Sequence, residues 1–120
     1  MAEDREEAED QIVGNPRLPL KSMKIKALFS KTGDMRFISH LDLMRLFQRA
    51  LRRAQLPVTI SQGFSPHLKI SIARALKLGV ESDSEELTIN MSDTVAPEII
   101  KRSLNDRLPQ GVRIKEIKEF

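Results

Sequence analysis

The stretch SHLDLMRLFQRALRRAQLP, residues 39–57, decides the fold. Leu43, Met44, Phe47, Ala50, Leu51 and Ala54 recur at helical spacing and predict one apolar face of a helix over about 40–54. Ser39 followed by Asp42 gives the S-x-x-D form of a capping box, a start signal because the serine oxygen accepts from the free N–H groups of a first turn. Pro57 has no N–H with which to continue. A helix with a single apolar stripe must lay it on a second layer, so the rest of the chain is expected to supply a sheet.

Upstream, Lys24 to Phe29 alternates and reads as a strand, Lys31 to Asp34 as a turn, and Met35 to Ile38 as a short return strand. Downstream, Val58 to Ser61, Leu68 to Ala73 and Glu86 to Met91 read as strands, with a loop at Gln62 to His67. Thr94 is placed to cap a second helix over about 96–107, with Pro97 near its first turn and Ile99, Ile100, Leu104 and Leu108 on one stripe. Pro109, Gln110 and Gly111 stop it, and Val112, Ile114 and Ile117 mark a last strand. The expected class is α+β: a two-layer sandwich of two helices on a largely antiparallel sheet. The ferredoxin-like split βαβ arrangement is its simplest member. The hairpin at 24–38 and a surplus strand between 57 and 91 are then extra strands.

The chain has 120 residues, enough for one domain, and no cysteine. That excludes a disulfide framework, a thiolate zinc site, a cysteine nucleophile and a cysteine-ligated iron–sulfur cluster. No apolar run approaches the length of a membrane span, and the acidic N-terminus is no secretory signal. A cytoplasmic protein without membrane contact is expected. The formal net charge of +3 hides segregation: residues 1–20 carry net −4, residues 21–77 net +10 and residues 78–120 net −3. Residues 1–22 are expected to form a flexible acidic arm, and 23–120 the folded domain. A sharper reading makes the arm an internal mimic of a polyanion, folded back on the basic segment.

Arg45, Arg49, Arg52 and Arg53 share the helix side opposite the apolar stripe, with Asp42 as the only nearby acid. An ordinary solvated face mixes signs to gain pairs one turn apart, so this one-sign face points to a polyanion. Lys31, Arg36, Lys69, Arg74 and Lys77 extend the bias. His40 stands at the first helical position, where backbone N–H groups are free to meet an anion, and His67 ends the loop Ser61–His67. If the two converge, they could serve as acid and base in metal-free phosphodiester cleavage; otherwise each fixes its own loop. Ser39, Asp42, Gln62 and Gly63 would position that end of the molecule. Gly63 lets backbone approach a ligand, and Phe64 could stack on a base if exposed. With only five aromatic residues in the chain, a core place for Phe64 is the stronger expectation. No metal-ligand spacing, Walker loop or dinucleotide fingerprint is present, so no metal or cofactor is expected.

Three segments carry a resemblance: FSKTGDMRFISHLDLMRLFQRALRRAQLP (29–57), SQGFSPHLKIS (61–71) and LGVESDSEEL (78–87). They resemble a bacterial domain found linked to radical S-adenosylmethionine proteins, with its patterns F-S-K-x-G-x-x-R-F-x-S-H-L-D, R-A-x-R-R-A-x-L-P, S-Q-G-F-x-P-H and L-G-x-x-S-x-x-E. These fall at Phe29 to Asp42, Arg49 to Pro57, Ser61 to His67 and Leu78 to Glu85. Leu68 stands where that family commonly has proline, and Arg74-Ala75 where it has a small residue and proline. The resemblance covers about 23–120 and implies the N-terminal part of a longer domain.

That family has no established function. The resemblance implies an accessory role beside a radical S-adenosylmethionine partner; charge adds RNA as the expected polyanion. Three readings remain open: a non-catalytic module that binds RNA or another polyanion, a protein-docking module, and a metal-independent phosphodiesterase using His40 and His67.

Overall fold

A computed structural model describes residues 22–75 and 77–120. β1 (Met23–Lys31) buries every second side chain, Ile25, Ala27, Phe29 and Lys31, because successive residues of a strand point to opposite faces. α1 (His40–Arg53) returns across that face and buries Leu43, Phe47, Ala50 and Leu51. β2 (Ile70–Ile72) is short, and β3 (Ser82–Met91) again alternates, burying Glu85, Leu87, Ile89 and Met91. α2 (Pro97–Asn105) contributes Ile100 and Leu104 to the core, and β4 (Val112–Glu119) contributes Val112 and Ile114. Phe29 and Phe47 meet edge to face with ring centroids 5.0 Å apart at the centre.

The sheet order is β2-β3-β1-β4, and each neighbouring pair is antiparallel. With the chain order βαββαβ, this is the ferredoxin-like α+β sandwich. The other sheet face carries Lys26 and Glu86, which pair at 3.4 Å diagonally across β1 and β3.

Both surplus strands of the sequence reading disappear. Gly33–Phe37 forms a 3₁₀-helix instead of a return strand. Gly33 turns the chain at φ 60°, and the Thr32 N–H donates to the Gly111 carbonyl at 2.8 Å, tying this segment to the turn before β4. Val58 to Ser61 is not a strand either. Val58 bridges Met91 while Ile60 bridges Leu68, so the segment changes partners before a ladder can form. Four strands remain, which is the number the fold requires.

Two helix ends also differ from expectation. α2 has Ala96, not Thr94, at its cap position, and Pro97 at the first helical position lacks one of the N–H groups a cap would have to satisfy. α1 ends before Pro57 in a Schellman motif: Leu56 N–H donates to Leu51 O at 3.3 Å and Gln55 N–H to Arg52 O at 3.0 Å. Gln55 takes the left-handed conformation, φ 57°, that such a motif usually gives to glycine. The expected arm at 1–22 lies outside the described residues except for its last position.

Candidate functional site

At the start of α1 the Ser39 Oγ accepts from the Asp42 N–H at 3.1 Å, the serine half of the expected capping box. The helix phase this fixes puts Arg45, Arg49, Arg52 and Arg53 in solvent. Arg45 reaches Asp42 at 3.4 Å. Arg49, Arg52 and Arg53 have no carboxylate within 4.0 Å among the described residues. None of these three guanidinium groups is held in a close ion pair among the described residues, an arrangement suited to attracting an anion.

The arginines border two grooves. The larger, about 470 Å³, runs along α1 and is lined by Leu41, Met44, Arg45, Arg49, Arg52 and His67, with Gln48 at its side. Gln48 holds the loop wall in place: its Nε2 donates to the Leu68 carbonyl at 2.9 Å and its Oε1 accepts from the Leu68 N–H at 3.0 Å. The smaller groove, about 330 Å³, lies between α1 and the turn after α2, with Arg49, Arg53, Arg107 and the acidic Asp106 around Leu46 and Leu108. Arg107 was missed by the sequence reading. Its charge was visible, but its adjacency to Arg53 depends on how α2 docks.

His67 faces the larger groove, and its ring is fixed. Its Nδ1 lies 2.9 Å from the Ser65 carbonyl and 3.2 Å from Ser61 Oγ. A carbonyl only accepts, so Nδ1 carries the proton and donates there, leaving Nε2 as the free ring nitrogen. Ser61 Oγ also accepts from the His67 backbone N–H at 3.2 Å, and Ser61 N–H donates to His67 O at 2.8 Å. His40 does not line this groove; its Nδ1 is buried without a hydrogen-bond partner among the described residues. The structure brings His67, not His40, to the arginines.

On the loop that His67 closes, Gln62, Gly63 and Phe64 are exposed, and Gly63 has φ 126°. Phe64 is 109% exposed, which corrects the expected core place: the bridges at Val58 and Ile60 carry the loop away from the sheet.

The remaining basic residues scatter. Lys69 is exposed but lines neither groove. Arg36 lines neither groove either; its guanidinium lies 4.3 Å from the Phe37 ring, with its Nη1 donating to Gly33 O at 2.7 Å. Lys31 is corrected outright: it is 1% exposed and donates to the Lys77 carbonyl at 3.2 Å. It lies on the core face beneath the segment after β2, where no external polyanion reaches it.

That segment is clipped by a second polar cluster. Arg74 grips the buried Glu85 carboxylate through Nε at 3.1 Å and Nη2 at 2.8 Å, and Ser82 Oγ donates to the same carboxylate. The Arg74 hydrogen bonds hold the Glu85 carboxyl below its ordinary range against the upward push of burial, with Ser82 and the Lys31 charge assisting. Gly33 N–H donates to Glu81 at 2.7 Å and Gly79 N–H to Arg36 O at 2.6 Å, so the F-S-K-x-G and L-G-x-x-S-x-x-E segments meet here. Arg74, Glu85, Glu81 and Lys31 each have a hydrogen-bond partner here, so the cluster fastens the chain.

No helix among the described residues is long and apolar enough to cross a membrane. Among the described residues no group of three or more His, Asp or Glu side chains gathers as a metal site. Residues 24–120 match the model of a family described as an uncharacterized protein conserved in bacteria. No curated protein matches the chain.

Proposed function

The chain belongs to that family of uncharacterized proteins conserved in bacteria, and from that premise we propose that it is a non-catalytic accessory module that binds RNA through the arginine face of α1. The observation that carries this reading is the line of Arg49, Arg52 and Arg53, free of carboxylate partners among the described residues, along grooves floored by Leu41, Met44 and Leu46. Phosphates would meet the guanidinium groups, and the apolar floor would lie under sugars or bases. The motif resemblance supports a radical S-adenosylmethionine protein as the partner this module serves. In that arrangement the partner supplies the chemistry and this domain holds the RNA. His67 without His40 offers one titratable group where an acid–base pair would be needed, which favours binding over cleavage.

The test is a salt titration of binding to mixed single-stranded RNA by the wild type and by the Arg49→Glu, Arg53→Glu double variant. The wild type should lose affinity steeply with salt. The variant should bind more weakly for all sequences alike, with a slope flattened by two contacts, roughly 0.7 per single-strand phosphate. Salt-insensitive binding, or unchanged affinity in the variant, would refute the arginine-face reading. A wild type that binds no RNA but loses a copurifying protein on the double substitution would favour the docking reading instead. RNA cleavage in excess chelator, abolished by His67→Ala, would overturn the non-catalytic assignment.

A further inference from the structure

The five aromatic side chains divide into three kinds. Phe29 and Phe47 form the core pair. Phe37 and Phe120 are exposed, but each ring is faced by a cation, Arg36 at 4.3 Å and Lys26 at 5.1 Å respectively. Phe64 alone is fully exposed with neither a ring nor a cation against it among the described residues. The loop that carries it is closed at its base. Ser61 and His67 exchange backbone and hydroxyl hydrogen bonds across the loop base, and Gln48 clamps the next residue to α1. Pro66 and the left-handed Gly63 on either side restrict or shape the backbone that presents the ring.

We propose that Phe64 is a stacking platform for one unpaired nucleobase, and that the RNA bound along α1 is therefore single-stranded. This rests on the arginine-face reading and adds to it the conformation of the ligand. The same loop places His67 in the arginine groove three residues after Phe64, so the ring and the free His67 Nε2 belong to one short loop beside the place where the phosphates of a bound strand would meet Arg45, Arg49 and Arg52. A nucleobase is favoured over an apolar protein pocket because the loop that carries the ring also lines, through His67, a groove bordered by arginines, which a polyanion with flat, uncharged bases complements. A duplex keeps its bases stacked on each other and offers Phe64 nothing.

The experiment compares a 12-nucleotide single-stranded RNA with a duplex of the same length, using wild type, Phe64→Ala and Phe64→Trp. Phe64→Ala should weaken single-strand binding about tenfold or more, the worth of one stacked base, with the salt slope unchanged. Phe64→Trp should restore affinity. Because the chain contains no tryptophan, its emission reports this position alone and should be quenched by the single strand and not by the duplex. Equal affinity for duplex and single strand, or wild-type affinity in Phe64→Ala, would overturn the stacking proposal. Loss of binding in the double arginine variant beside an unaffected Phe64→Ala would sink stacking while leaving the arginine face standing. Absence of any RNA binding by the wild type would remove both.

Discussion

Gln48 grips the backbone of Leu68 at both of its polar atoms, accepting from the N–H at 3.0 Å and donating to the carbonyl at 2.9 Å. This one side chain joins the middle of α1 to the end of the His67 loop, twenty residues further on. It satisfies a main-chain pair that would otherwise seek water beside the half-buried edge of the core. Gln48→Leu keeps the bulk and removes both bonds. We expect it to cost about 1–2 kcal/mol, because the Leu68 N–H loses its partner while the Leu68 carbonyl keeps only the Ile70 N–H at 3.0 Å. Urea unfolding measures this, and single-strand RNA affinity should fall with it as the His67 loop comes loose.

Gly111 is fixed by a close approach. A Cβ there would lie 2.6 Å from the Thr32 carbonyl oxygen and 2.7 Å from Met35 Cγ, on a backbone already at φ 101°. Gly111→Ala should therefore destabilise by about 2 kcal/mol or more, combining left-handed strain with a backbone clash that rigid neighbours cannot relieve. Gly33→Ala, with φ 60° but no atom within 4 Å, should cost less. Thermal melts of the two variants side by side separate clash from strain.

Gln55 closes the Schellman motif of α1 with φ 57°. Gln55→Gly relieves the left-handed strain and gives back part of the gain through a more mobile unfolded chain. The net expectation is a stabilisation of about 0.5–1 kcal/mol. A melting temperature equal to or below that of the wild type would contradict it.

Glu85 links stability to pH. Its carboxyl is held below the ordinary range chiefly by the Arg74 hydrogen bonds. A depressed folded-state pKa means that the stabilisation is fully present above the ordinary carboxyl pKa and is lost as pH falls through the depressed value. Glu85→Gln removes that linkage. Its stability deficit against the wild type should be largest near neutral pH and shrink below about pH 4. A deficit constant from pH 7 to pH 3 would show that the charge of Glu85 does not matter.

Much of the fold was legible in the sequence because its signals are local. The α1 stripe of Leu43, Phe47 and Leu51 and the Ser39 start signal act within one or two turns. The alternation in β1 and β3 acts between neighbouring residues, and it even held a correct hint that went unused. Lys31 is in phase with Ile25, Ala27 and Phe29, and so belongs to the core face. The arginine face followed from the same helical phase.

The rest depended on distant partners. Val58 and Ile60 have strand-like composition, yet the sheet offers them Met91 and Leu68 in turn instead of one continuous neighbour. Met35 and Phe37 also look like strand residues, but the Thr32–Gly111 bond draws their segment into a 3₁₀-helix. Sequence by itself determined which elements form and which side each presents, because spacing along the chain sets side-chain direction. What covers each side is settled between residues far apart in the chain. Only tertiary structure could bury Lys31 under the Arg74–Glu85 clip, bring His67 to the arginines through Gln48, and leave Phe64 with nothing over it.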